Sequence, residues 1–261
     1  MIFSTTVVLS LLAIASARPK ARAASCTFPE PATSTSLSEA KTIAAGESFD
    51  GDNVRYDRGT ECGGQSEGGD SDAVFLLEEG ATLSNVVIGS DQGEGIHCLG
   101  SCTLTNVWFE AVCEDAITIK QESGTSYING GGAKGADDKV IQHNGGQRDC
   151  IAFPTSANIQ DTLGGTVSID SFCVQDFGKL YRSCGNCDDM YERHVVLSNI
   201  IAESGSLLAG INSNYGDTAT FDTDSIDASD VDSWCNTCEG NDTGDEPEEL
   251  TENEANDYCV F

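Results

Sequence analysis

Cations are scarce in this 261-residue chain: 13 Lys and Arg stand against 43 Asp and Glu, a formal charge of −30. That balance excludes a general affinity for nucleic acid or anionic membranes, which rests on basic surface. An anionic ligand would need a local basic cluster or a bridging cation. Proline is also sparse at five, and with 28 glycines and 39% hydrophobic residues the chain does not read as a disordered, low-complexity protein. Histidine occurs only as His97, His143 and His194. Each is single and outside any metal-ligand spacing, so packing or hydrogen-bonding roles are expected. No phosphate loop or His-Glu-x-x-His motif is present. The apolar run Val7–Ala15 is too short to cross a bilayer and no later stretch qualifies.

That short run ends in Ala15-Ser16-Ala17, the small-residue pattern of a secretory cleavage site, so residues 1–17 read as a signal peptide. Twelve cysteines, an even count, agree with an oxidising, extracellular destination and a disulfide framework. Cys184-Gly-Asn-Cys187 and Cys235-Asn-Thr-Cys238 have knuckle-like gaps. Without a histidine partner they read as structural disulfide cysteines, with connectivity open. Residues 18–45 read as a lead-in or N-terminal cap, 46–233 as the body, and 234–261 as a disulfide-pinned C-terminal cap over the open end. Asn241-Asp242-Thr243 is the one N-glycosylation sequon.

The body is repetitive. Thr82-Leu-Ser-Asn returns 21 residues later as Thr103-Leu-Thr-Asn, and Ser126-Tyr-Ile-Asn follows after a further 23. Val167–Asp170, Val196–Asn199 and Thr220–Ile226 continue the phrase. A period in the low twenties, built from short strands and Gly-rich turns, predicts a stacked β-solenoid: an all-β parallel β-helix with one continuous core. A β-sandwich is the runner-up. One interval, Asn129 to Asp170, is 41 residues long, and its surplus of 18 falls at 146–163. It marks either an added surface loop or an error in the coding sequence.

Two sets of side chains carry candidate chemistry. Glu94 precedes Glu114 and Asp115 by about one repeat, which in a solenoid places all three on neighbouring rungs of one face. Converging carboxylates repel unless a cation sits among them, and hard oxygen donors favour Ca²⁺. The bland alternative is three solvated acids. Asp91 and Glu110 flank the set. The second set is the rare cations Lys120, Lys139, Lys179 and Arg182. The last two, three residues apart, can present both charges to one anionic group.

Three long motifs then resemble polysaccharide lyase family 3, the secreted pectate lyases. They are VVIGSDQGEGIHCLGSCTLTNVWFEAVCEDAITIK, ADDKVIQHNGG and DFGKLYRSCGNC. The likeness runs from about Glu67 to the C-terminus. Members of that family pass from HNGG directly into GTVSI, which marks 146–163 as an insertion. The resemblance implies a right-handed parallel β-helix and Ca²⁺-dependent cleavage of polygalacturonate by β-elimination. It implies Glu94, Glu114 and Asp115 as calcium ligands, Lys139 as catalytic base, and Lys179 and Arg182 as the basic pair. Glu67 and Lys120 are implied as substrate contacts. A lysine base needs a depressed pKa, so activity is expected to rise into the alkaline range. The expected partner is pectin, met by a secreted monomer, with no nucleic-acid or membrane partner. The rivals are a β-helix polygalacturonase, which hydrolyses with paired carboxylates, and a non-catalytic pectin-binding protein.

Overall fold

The computed structural model describes residues 24–145 and 164–261; the segments read as a signal peptide and as an insertion lie outside them. Each repeat phrase begins as a strand with alternating faces. In Thr82–Ile88, Leu83 is fully buried while Thr82 and Ser84 point outward. Asn85 then takes φ of 53°, the left-handed region that Asn tolerates better than other side chains. This single residue turns the chain through a corner, so that Val86 and Ile88 face the same interior from a second side.

The corner repeats at Asn106, Gly130, Ser171 and Asn199, all with positive φ. A second column of left-handed corners follows at Gly135, Asp176, Ser204 and Asp230. Between the corners run three parallel ladders. The first pairs Leu83, Leu104, Ile128, Ile169, Leu197 and Phe221 in register across successive rungs. The second pairs residues 54–56, 86–88, 107–109, 131–134, 173–175, 201–203 and 227–229. The third stacks Ile96, Ile117, Ile141, Tyr181, Ala209 and Cys235. The result is the parallel β-helix that the sequence predicts. Its core is a set of like-on-like aliphatic stacks, each fully buried Leu or Ile contributing about 1.5–3 kcal/mol.

Five disulfides join described residues: Cys26–Cys173, Cys62–Cys113, Cys98–Cys102, Cys184–Cys187 and Cys235–Cys259. The first straps the N-terminal segment over the outside of the second ladder, where Phe28 meets Trp108 edge-on at 4.8 Å. Outward-pointing Val87, Trp108 and Cys173 are buried beneath that strap. At the other end, Glu248–Glu252 pairs antiparallel to the strand Asp227–Glu239, and Cys259–Val260 adds to the first ladder.

The two ends of the surplus segment are nearly in contact. A Cβ on Gly145 would lie 3.0 Å from the Cα of Gly164. That bounds the two Cα atoms at about 4.5 Å, close to the roughly 3.8 Å between consecutive residues. The rung is therefore closed without residues 146–163.

Candidate active site

The site lies where the third ladder begins, at the second corner of each rung. Register alone assembles it. Asp115 pairs with Lys139, and Lys139 with Lys179, on successive strands. Glu94 stands two residues before Ile96, as Asp115 does before Ile117, and those isoleucines pair. Glu94, Asp115, Lys139 and Lys179 thus form one column across four rungs. Three residues further along each strand, His97, Thr118, Gln142 and Arg182 form a parallel second column. The Lys179–Arg182 spacing reads the same way in the sequence and in the strand.

The acids are buried: Glu94, Glu114 and Asp115 are each no more than 4% exposed. The Lys139 ammonium sits 3.4 Å from a carboxylate oxygen of both Glu114 and Asp115. It also donates to Asp138 Oδ2 at 2.6 Å, while Asp138 Oδ1 accepts from Lys179 at 2.6 Å. Burial pushes the Asp115 carboxyl up to about 9, with Lys139 opposing and Glu114 and Glu94 adding repulsion. Burial works against the Lys139 charge, but Asp115, Asp138 and Glu114 outweigh it and hold the ammonium above the ordinary lysine range. Asp138 stays below the usual carboxylate range: burial raises it, and its bonds to the two lysines win.

The N-terminal side of the column is closed by the 60–72 loop. Gly68 N donates to Glu94 Oε1 at 2.8 Å, and a Cβ on Gly68 would collide with that carboxylate at 2.7 Å, so the loop can approach only as glycine. Glu67 enters the same field. Its carboxyl is raised by burial and by Glu114 and Glu94, with Lys139 and Lys120 opposing. Lys120 does not reach the acid pair; its ammonium bonds to Asp70 Oδ1 at 2.6 Å. His97, buried, bridges that same Asp70 oxygen at 2.7 Å and Glu94 Oε2 at 3.3 Å. Arg182 donates to Asn212 Oδ1 at 3.1 Å. Of the flanking acids, Glu110 points away and pairs with Arg55 at 2.6 Å.

Asp138, Asp70 and His97 were not singled out by the spacing of acids and cations. Asp138 is adjacent to Lys139 in the sequence, and that adjacency was the available signal. Asp70 comes from a distant loop and carried none.

Two observations bear on a cation at this place. Glu114 Oε2 is buried without a hydrogen-bond partner, a cost of about 1–3 kcal/mol, and Asp115 Oδ1 has no hydrogen bond, only its 3.4 Å ion pair with Lys139. The donor set is all carboxylate oxygen, the chemistry that a hard divalent ion takes. The residues therefore suit Ca²⁺. As they stand, no three His, Cys, Asp or Glu side chains among the described residues converge on one point, and the Lys139 ammonium is the counter-charge between Glu114 and Asp115.

A parallel β-helix that presents buried acids and a row of cations along one face defines a class, the β-helical enzymes. The family model described as pectate lyase matches residues 25–245. Pectate lyase H of Emericella nidulans is 52% identical over 260 residues, covering 97% of this chain and 92% of that protein. The probable pectate lyase D of Aspergillus fumigatus is 50% identical, covering 99% and 97%. Among solved structures, the catalytic domain of pectate lyase PelI from Erwinia chrysanthemi superposes with a TM-score of 0.65 at 26% identity, covering 85% of this chain and 94% of that one. The same enzyme in complex with tetragalacturonic acid gives 0.60 at 26% identity, covering 88% and 66%. The chain belongs to the pectate lyase family.

Proposed function

We propose that this protein is a secreted, calcium-dependent pectate lyase that cleaves polygalacturonate at the Lys139 corner and releases 4,5-unsaturated oligogalacturonides. The observation that carries the reading is the single column Glu94, Asp115, Lys139, Lys179, with an unpartnered buried oxygen on Glu114 beside it. Glu94, Glu114 and Asp115 are the residues that would hold Ca²⁺, which when bound neutralises a uronate carboxylate and so acidifies the C5 proton. Lys179 and Arg182, on the neighbouring rung, would grip that carboxylate. Lys139 takes the C5 proton; the C5–H electrons form the C4–C5 double bond, and the C4–O bond breaks, its oxygen leaving with the bonding pair and taking a proton from water to release the chain. Lys139 can do so only when neutral. Its charge is upheld chiefly by Asp115, Asp138 and Glu114. Engaging two of those acids elsewhere removes much of that support and leaves burial, which favours the neutral amine. Glu67 and Lys120 are the remaining substrate contacts in this reading. Five disulfides among described residues suit an extracellular destination.

The test is purified protein on polygalacturonate, followed by the ultraviolet absorbance of the unsaturated product. Absorbance should rise, stop on adding chelator, resume with Ca²⁺, and climb with alkaline pH. New reducing ends without absorbance would make the protein a hydrolase; neither signal would leave it a non-catalytic binder.

A further inference from the structure

A well-formed groove among the described residues lies away from the catalytic corner. It encloses about 530 Å³ along the first corner of the rungs, between the first and second ladders. That volume lies within the roughly 300–1,000 Å³ of small-ligand sites. Its walls combine apolar surface, including Trp108 and Pro29, with the amides of Asn53, Asn106 and Asn129 and the hydroxyls of Thr105 and Thr27. No Lys or Arg is among the lining residues, and the one carboxylate, Asp170, is already tied to Ser198, Asn199 and Ser171. The groove therefore has nothing with which to grip a polyuronate. Its rim is built and held: Cys26–Cys173 anchors the N-terminal segment that forms one wall, and Phe28 braces it on Trp108.

Two features point to a ligand rather than a packing gap. The half-buried Asn129 amide makes no hydrogen bond among the described residues, although its neighbours Asn106 and Asn85 are linked at 2.8 Å. Tyr127, two residues earlier on the same side of the strand, is 47% exposed beside it. An aromatic face next to free amide and hydroxyl groups is a surface for sugar rings, with one apolar face and several hydroxyls to satisfy. The outward column continuing from Tyr127 is Thr82, Thr103, Tyr127, Ser168, Val196 and Thr220. It carries no charge in a chain with 43 acids. Such a flat, uncharged strip suits an extended neutral chain.

We propose that this groove, with Tyr127 and Asn129, is a second saccharide site that takes an uncharged hexose chain and holds the protein on neutral polysaccharide. It stands independently of the lyase reading. The probes are cellohexaose, 1,4-β-galactohexaose and tetragalacturonate, titrated calorimetrically into the full chain and into Tyr127→Ala/Asn129→Ala. Binding of either neutral hexamer, weakened at least about tenfold in the double variant, supports the site, and the preferred hexamer identifies glucan or galactan as its source. Turnover of soluble polygalacturonate should not change in that variant. Binding of neither hexamer, binding indifferent to the substitutions, or displacement of a neutral hexamer by tetragalacturonate overturns it. Should the double variant fail to fold, Thr105→Arg, at an exposed groove position, decides by filling the same space.

Discussion

Lys139→Met separates the two duties that the site gives this lysine. The ammonium lies 3.4 Å from oxygens of both Glu114 and Asp115. At an effective dielectric of about 20, each such pair attracts by roughly 5 kcal/mol before solvation is charged against it. A divalent cation bound by the same acids must displace or repel this charge. If about 2 kcal/mol of the interaction survives in solution, removing the lysine tightens Ca²⁺ binding by roughly 30-fold. Turnover should meanwhile fall by about 10²–10⁴, the usual loss with a general base. Calorimetric titration of Ca²⁺ into wild type and variant reads the first effect, and product absorbance reads the second. Lys179→Met is the control. Lys179 bonds to Asp138 and has no ion pair with Glu114 or Asp115, so its loss should slow turnover yet leave Ca²⁺ affinity within about threefold. A folded Lys139→Met that binds Ca²⁺ no better than wild type would refute the shared use of Glu114 and Asp115.

Three further outcomes follow from the fold. Deleting 146–163 should leave Tm and turnover near wild type, because the Cα atoms of Gly145 and Gly164 stand within about 4.5 Å, near the roughly 3.8 Å of consecutive residues; loss of soluble protein would show that the rung needs the segment. Arg193, fully buried, donates to the carbonyls of Asn144, Cys184 and Tyr191, so Arg193→Met should cost about 3–5 kcal/mol and lower Tm by roughly 6–20 °C. A scanning-calorimetry change under about 3 °C would contradict it. His143, buried against Tyr181 and Gly164, is pushed down to about 3 by burial and by Arg193. Its folded pKa lies below the unfolded value of about 6.5, so its stability contribution is full above that pH and falls away toward pH 3, by up to about 1.4 kcal/mol per unit. Urea melts of wild type and His143→Gln should therefore converge as pH drops; parallel curves would exclude the linkage.

The stacked phrase was legible because its corners demand unusual backbone. Asn85 and Asn106 announce the left-handed turn, whereas in the third copy the turn falls on Gly130, and Tyr127 rather than Ser126 pairs with Thr103. Glycine fills that conformation as readily as asparagine, so the copied Asn129 misplaced the register by one. The acid–lysine column was readable since rungs convert sequence offset into vertical neighbours. Asp70 and His97 were not, because a loop closes over the column and loop contacts have no period. The two C-x-x-C motifs diverge for a geometric reason. Cys184 and Cys187 lie outside the strands, after Cys173–Ser183, with Cα atoms 5.9 Å apart, and they bond to each other. Cys235 and Cys238 lie within the strand Asp227–Glu239, where three extended steps span about 10 Å, beyond disulfide reach. Cys235 bonds to Cys259 instead, and Cys238 has no disulfide partner among the described residues.

The column of active-site residues occupies the middle of the stack, with rungs on either side. In a one-dimensional array each rung is held by its two neighbours, so opening starts at the tips and works inward. The amides of the 139–143 ladder should then be among the slowest to exchange with solvent, and those of the terminal rungs the fastest. Catalysis would be deaf to fraying at either tip, and its loss on heating would report the melting of the whole stack.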